Sequence, residues 1–438
     1  MNIILLSGGS GKRLWPLSND VRSKQFIHIF KDGDEYQSMV QRIYGQIKKT
    51  DPNAVVTIAT SKSQVSALHN QLGEDVGISV EPCRRDTFPA IALATAYLHD
   101  RLGVPAEEAV VVCPVDPYVE DDYFQCVQEM YEVASKGEKK LVLMGIQPTY
   151  PSAKYGYIKP VEKDGKVTYT FTEKPTEQKA WEYISQGAMW NGGVFAYKLS
   201  YVLDKCKELL GTSDYATLFA GYGELKKISF DYAVVEQETD IEVVRYAGTW
   251  KDLGTWNTLT EAMEEDFIGD VRMDDTCENT HVINEMGIPI LCMGLKNVVV
   301  SASPEGILVS DKIQSAHIKP YVDAIDQQIM FAEKSWGGYR VLDVEENAIT
   351  VKVTLNPGNK MNYHSHEKRD EVWTVIAGSG MTIVDGMEQP IGVGDVVTMA
   401  AGCKHTVVAG ENGLQMIEVQ IGSEISVSDK KKYEWPER

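Results

Sequence analysis

Along the first 150 residues, short aliphatic runs alternate with stretches whose apolar positions recur every three or four residues. Residues 3–6, 55–59, 78–81, 109–113 and 141–146 read as buried strands. Between them, Val40, Ile43, Tyr44 and Ile47 follow the i, i+3, i+4, i+7 spacing of an amphipathic helix, as do Val65, Leu68, His69 and Leu72. This alternation predicts parallel strands joined by right-handed crossover helices, a doubly wound, Rossmann-like α/β domain. Ligands are then expected at the carboxyl ends of the strands.

The pattern changes near residue 265. Short β segments separated by turn residues follow, among them THVINE, LCMGL, NVVVSASPEG and ILVSD, and their even spacing predicts a small β unit resembling a few rungs of a β-helix. A helix-like stretch is expected over residues 321–332. Beyond it TVKVTLNPG, DEVWTVIAG, DVVTMAAG and QMIEVQIG alternate as half-buried strands of a small antiparallel barrel do. The expected domains are therefore residues 1–264, 265–330 and 331–438.

Composition narrows the chemistry. A chain of 438 residues is too long for one core, and two or three domains are the natural expectation. The formal net charge of -20 repels a polyanion, which excludes nucleic acid as a partner in the absence of a basic patch. No stretch approaches a membrane span, and the apolar run at the start is too short for a signal peptide. The seven cysteines are scattered and never spaced as CxxC, so neither a disulfide framework nor a zinc knuckle is expected. These features together lead to the expectation of a cytoplasmic protein.

The first strand runs into SGGSGKRLWPLS, where Gly8, Gly9 and Gly11 can take positive φ and let backbone N–H groups approach a phosphate. The turn is neither a P-loop nor the dinucleotide fingerprint, and taken alone a structural βα turn explains it equally well. What strengthens the phosphate reading is the cation cluster Lys12, Arg13, Arg22 and Lys24 in an acidic chain. Arg13 suits bidentate contact with phosphate oxygens and Lys24 acts as a compact point charge.

GGSGKRLWPLS followed by SKQF resembles the signature of the mannose-1-phosphate guanylyltransferases. The resemblance continues through EPCRRDTFPAIALA (81–94), VCPVDPYVE (112–120), KYGYIKP (154–160), FTEKP (171–175), WNGGVFAY (190–197), SFDYAVVE (229–236) and WKDLGTW (250–256). Ser23 departs from the usual proline and Pro117 from the usual histidine, and neither removes a charge. The resemblance implies a nucleotidyltransferase domain that joins GTP and mannose 1-phosphate into GDP-mannose with release of pyrophosphate. In it Arg13 and Lys24 would be catalytic, and Leu6, Gly8, Gly9, Gly11, Glu81, Arg85, Pro89 and Ala90 would line the nucleotide site. Gly156, Glu173, Lys174 and Asn191 would bind the sugar phosphate, and Asp116 and Asp252 would hold Mg2+. A homodimer is also expected. Taken singly, an aspartate at a strand end is more often a cap, and a Glu–Lys pair more often a solvated surface pair. Two alternatives stay open: another sugar 1-phosphate or base, and a sugar-nucleotide sensor without turnover.

The third region carries a second pattern. His364 and His366 lie two apart and so face one side of a strand; Glu371 follows, and His405 comes later after Gly394 and Gly402. These positions reproduce the two cupin motifs, with Ala400 and Ala409 in place of the usual proline and asparagine. Three imidazoles and one carboxylate suit a divalent transition metal among Zn, Mn, Fe, Co and Ni. KSWGGYRVLD (334–343) resembles the entry to the cupin of the bifunctional relatives, which isomerise mannose 6-phosphate. Thr406 stands where those relatives carry an arginine, and SDKKKYEWPER replaces their usual C-terminal run. Isomerase activity is left open on these grounds, beside a domain kept for stability, oligomerisation or regulation.

Overall fold

The structure is a computed structural model that describes residues 1–9, 12–19, 21–163 and 166–435. Its contacts divide the chain into two compact units. One comprises Met1–Gly9, Lys24–Val65 and Leu72–Glu264, the other Ser10–Ser23, Ser66–Gln71 and Glu265–Arg438.

The first unit is built on one mixed sheet. Its strands run in the order Lys166–Thr172, Tyr157–Lys163, Met189–Lys198, Ala109–Pro114, Asn2–Ser7, Val55–Ser61 and Gly77–Glu81. Leu141–Ile146 joins Met189–Lys198 on one side and Ile241–Tyr246 on the other. The five aliphatic runs are all strands, and the first four are mutually parallel. The fifth, Leu141–Ile146, shares their direction, since it and Ala109–Pro114 both run antiparallel to Met189–Lys198, a strand outside those runs that is also antiparallel to Tyr157–Lys163. A strand buried on both faces carries the same apolar run in either direction, so periodicity does not encode its sense.

The helix Met39–Thr50 starts at a capping box, in which Ser38 and Gln41 satisfy each other's backbone N–H groups, and it buries Val40, Ile43 and Ile47. The helix Thr87–Asp100 is different. It buries every residue from Phe88 to Ala96, and packs Ile91, Leu93 and Leu98 against Ile4, Val112, Leu143 and Phe195. Each such aliphatic side chain contributes about 1.5–3 kcal/mol on burial.

In the second unit, Phe267–Ile268, His281–Asn284 and Val298–Ser303 stack in parallel register, and Val271–Met273 pairs in parallel with Ile290–Cys292. These are the rungs of a short β-helix-like coil around Val271, Val282, Cys292 and Val300. The helix expected over residues 321–332 is a correction: helix is confined to Lys319–Val322, and Phe331–Lys334 is already a strand. The intervening Gln327 donates its side-chain N–H to the carbonyl of Glu305 at 2.7 Å, a tertiary bond that helical periodicity does not foresee. The C-terminal strands curl into an antiparallel cupin barrel, led by the long pair Asp370–Val384 and His405–Ile421, around Trp373, Val375, Val407 and Met416.

Candidate functional site

The strand Asn2–Ser7 ends in a turn whose Gly9 sits at φ 102°, a conformation that a side chain resists. Buried amides fix this end of the sheet. Gln25 Nε2 donates to Ser7 Oγ at 3.0 Å, Thr60 Oγ1 donates to Gln64 Oε1 at 2.8 Å, and Gln64 Nε2 and an Arg84 guanidinium nitrogen reach the carbonyl of Gly9 at 3.4 and 3.3 Å. Gly11 lies outside the described residues. Leu6, one residue before the strand's end, accepts at its carbonyl from Val115 N at 3.3 Å.

Lys24 stands on the turn Lys24–Phe26, anchored by the buried Gln25 and Phe26. Its ammonium lies 2.9 Å from Asp116 Oδ2 and 3.9 Å from Asp252 Oδ1. The two acids, far apart in sequence, meet because Pro117–Val119 pairs antiparallel with Trp250–Asp252, placing Asp252 opposite Pro117. Both carboxylates are 42% exposed, so the ion pairs contribute about 1 kcal/mol at most. Two hard oxygen donors beside one cation at the carboxyl edge of a sheet make a phosphate and Mg2+ environment in chemical type.

Of the other cations in the cluster, Arg13 is exposed on the turn Lys12–Leu14. Lys12 pairs with Asp323 at 3.2 Å and Arg22 with Glu285 at 2.8 Å, so each has a carboxylate partner far along the chain.

Glu81 ends the strand Gly77–Glu81 and accepts from the Tyr222 hydroxyl at 2.7 Å; burial pushes its carboxyl up. Arg85 Nε is buried without a hydrogen-bond partner, and Pro89 and Ala90 are buried in the first turn of the helix Thr87–Asp100.

A second group gathers around Gly156, whose carbonyl accepts from Asn191 N at 2.8 Å. A Cβ on Gly156 would lie 2.6 Å from Glu173 Oε2, so only glycine leaves room for that carboxylate. Lys174, at φ 43°, places its ammonium 2.6 Å from Glu173 Oε1. Asn191 Nδ2 donates to Asp231 Oδ1 at 2.7 Å, and burial, reinforced by the charge of Glu173, pushes the Asp231 carboxyl up to about 6. Asp231 was not among the residues singled out in the sequence, although it lies within SFDYAVVE. An aromatic wall stands beside the group, with Trp190 centred 5.0 Å from both Tyr150 and Tyr155, and Trp250 5.2 Å from Tyr155.

In the cupin barrel the ligand atoms of His364, His366, Glu371 and His405 all lie within 4.8 Å of one another, and all four residues are buried. Each Nδ1 faces a backbone carbonyl, of Asn362, Asp429 and Cys403 respectively, at 2.6, 3.2 and 3.0 Å. A carbonyl only accepts, so each Nδ1 carries the proton and each Nε2 presents a lone pair; that of His366 accepts from an Arg369 guanidinium nitrogen at 3.0 Å. His405 Nε2 is buried 3.2 Å from Glu371 Oε2 without a hydrogen bond, so two acceptor atoms face each other as two ligands of one cation would. Burial pushes His364 down to about 2 and His366 to about 4, keeping both neutral and able to ligate at neutral pH. Burial alone would raise Glu371; the adjoining His405 and the Arg369 guanidinium, 2.9 Å from its Oε1, outweigh it and hold the carboxyl well below its ordinary range. The donor set therefore fits a divalent transition metal. The strand Lys430–Lys432 pairs with His364–His366, and burial pushes Lys430 down to about 8.

The nucleotidyl transferase family model matches residues 2–267, and the model of the mannose-6-phosphate isomerase C-terminal region matches residues 324–434. A putative mannose-1-phosphate guanylyltransferase of Vibrio cholerae is 29% identical over 98% of this chain and 99% of that protein. Mannose-1-phosphate guanylyltransferase of Escherichia coli is 28% identical over 97% of this chain and 96% of its own. Xanthan biosynthesis protein XanB of Xanthomonas campestris is 29% identical over 98% and 97%. Among solved structures, mannose-1-phosphate geranyltransferase from Thermus thermophilus aligns with TM-score 0.62 at 28% identity, covering 74% of this chain and 98% of that one.

Proposed function

The chain belongs to the nucleotidyl transferase family, and from that premise we propose that it forms GDP-mannose and pyrophosphate from GTP and mannose 1-phosphate. The observation that carries this reading is Lys24 held between Asp116 and Asp252 at the carboxyl edge of the sheet. An oxygen of the sugar phosphate attacks the α-phosphorus in line; a new P–O bond forms as the bond to the bridging oxygen breaks and pyrophosphate leaves. Such transfer needs alignment and charge neutralisation more than covalent help. Lys24 and Arg13 offset charge on the α-phosphate and the departing pyrophosphate. Asp116 and Asp252 supply oxygen ligands to Mg2+, which when bound neutralises phosphate charge.

The turn at Leu6, Gly8, Gly9 and Gly11 receives the phosphates, while Glu81, Arg85, Pro89 and Ala90 border the base. Glu173 and Asn191 accept and donate to sugar hydroxyls beside Gly156, Asp231 orients Asn191, and Lys174 meets the sugar phosphate. The domains in this reading are residues 1–264 for transfer, 265–330 as a β linker and 331–438 as the cupin, in a cytoplasmic homodimer. Pyrophosphate release from purified protein with GTP, Mg2+ and a panel of sugar 1-phosphates tests the proposal. No release with any of them would leave the sensor reading.

A second reading concerns the cupin. His364, His366, Glu371 and His405 hold a divalent transition metal, and the barrel isomerises mannose 6-phosphate with Lys430 supplying an interior cation. Turnover of mannose 6-phosphate, abolished by His366→Ala, is its test.

A further inference from the structure

The segment that carries Arg13 is held in shape by acids far along the chain. Arg22, 8% exposed, donates from its two terminal nitrogens to both carboxylate oxygens of Glu285, at 2.8 Å each, and its Cζ lies 5.1 Å from the centre of the Phe331 ring. Asn19 Oδ1 accepts from the backbone N–H groups of Val21 and Arg22 at 2.9 and 2.6 Å, while its Nδ2 donates to Glu305 Oε1 at 2.8 Å. Glu305 is itself 6% exposed and accepts from Met330 N at 2.9 Å. Ser303 Oγ donates to the carbonyl of Pro16 at 2.6 Å. Gly306, at φ 148°, runs so close to Trp15 that a Cβ would lie 2.6 Å from the indole.

An exposed pair contributes little, but a bidentate pair between a buried guanidinium and a partly buried carboxylate fixes geometry on both partners. Carboxylates beside a segment that must meet a triphosphate oppose binding unless cations tie them down. Here Lys12 and Arg22 are committed to Asp323 and Glu285, and Arg13 on the same segment stays exposed.

We infer that Glu285 and Glu305 are positioning residues for nucleotide binding, holding residues 12–19 and 21–23, Arg13 among them, in the conformation that GTP binding requires. The inference rests on the nucleotidyl transfer reading above. It makes residues of the β coil part of the determinants of GTP affinity.

The test uses the full-length protein and the variants Glu285→Gln, Glu305→Gln and the reversed pair Arg22→Glu with Glu285→Arg. Hydrogen exchange over residues 12–23, calorimetric titration with GTP, melting temperature and the separate KM and kcat values are measured. In Glu285→Gln the amides of Val21 and Arg22 are expected to lose protection, GTP to bind about tenfold more weakly, and the KM for GTP to rise by the same factor. The KM for mannose 1-phosphate stays unchanged, and the reversed pair recovers most of the loss. Unchanged exchange, faster exchange with unchanged GTP affinity, or an equal rise in both KM values overturns the inference. A wild-type protein that binds GTP but releases no pyrophosphate removes the transfer reading alone, and the GTP titration still decides on Glu285 and Glu305. Wild-type protein that binds no GTP refutes both.

Discussion

Replacing Gly156 by alanine probes the sugar side of the site through one methyl group. The new Cβ would stand 2.6 Å from both Glu173 Oε2 and Phe171 Cζ, and 2.9 Å from Phe171 Cε2. Carbon atoms in contact settle at about 3.5–4.0 Å, so a neighbour must retreat by about 1 Å. Gly156 is not among the glycines at positive φ, so alanine meets no backbone penalty and the cost is steric. Phe171 packs against the sheet's core, whereas the Glu173 carboxylate ends a longer side chain and yields first. Overpacking of this kind costs about 1–3 kcal/mol of stability. Displacing a binding group by about 1 Å costs on the order of 100-fold in rate or binding. With GTP saturating and mannose 1-phosphate varied, kcat/KM for the sugar phosphate in Gly156→Ala should fall by roughly 100-fold while the KM for GTP holds. A folded variant with an unchanged kcat/KM for mannose 1-phosphate would refute the placement of Glu173 at the sugar.

Asp252→Ala and Asp116→Ala should each lower Mg2+-dependent pyrophosphate release by orders of magnitude, and an unchanged kcat in Asp252→Ala would sink the two-aspartate reading. Asp231 titrates near 6 in the fold against an ordinary 3.8, so the folded state holds its proton longer than the unfolded chain, and stability falls as pH rises between those values. Asp231→Asn should remove that slope, which melts recorded across the window would detect. Elemental analysis should find about one equivalent of transition metal, lost in His366→Ala. Because burial lowers His366 to about 4 from 6.5, the apo barrel loses stability as pH falls from 6.5 toward 4; a melting temperature flat over that range would contradict the buried neutral imidazole.

Much of this molecule is legible from neighbouring residues. The aliphatic runs became strands, His364 and His366 turned to one face, and the capping box at Ser38 began its helix. The helix Thr87–Asp100 left no amphipathic trace because it is apolar on nearly every side, and periodicity needs a polar face to register. The stretch after Val322 showed the converse failure: its spacing suits a helix, but Gln327 is drawn off to Glu305.

The strands, the glycine turn and the donor set of the cupin each follow from side-chain type and spacing within short stretches of chain. The direction of Met189–Lys198, the meeting of Asp116 with Asp252 across a three-residue ladder, and the pairing of Lys12 and Arg22 with distant acids came from the tertiary fold. It also brought Asp231 to Asn191. These depend on which remote segments pair, and pairing is set by the burial and hydrogen-bond satisfaction of the whole fold, which no local pattern contains.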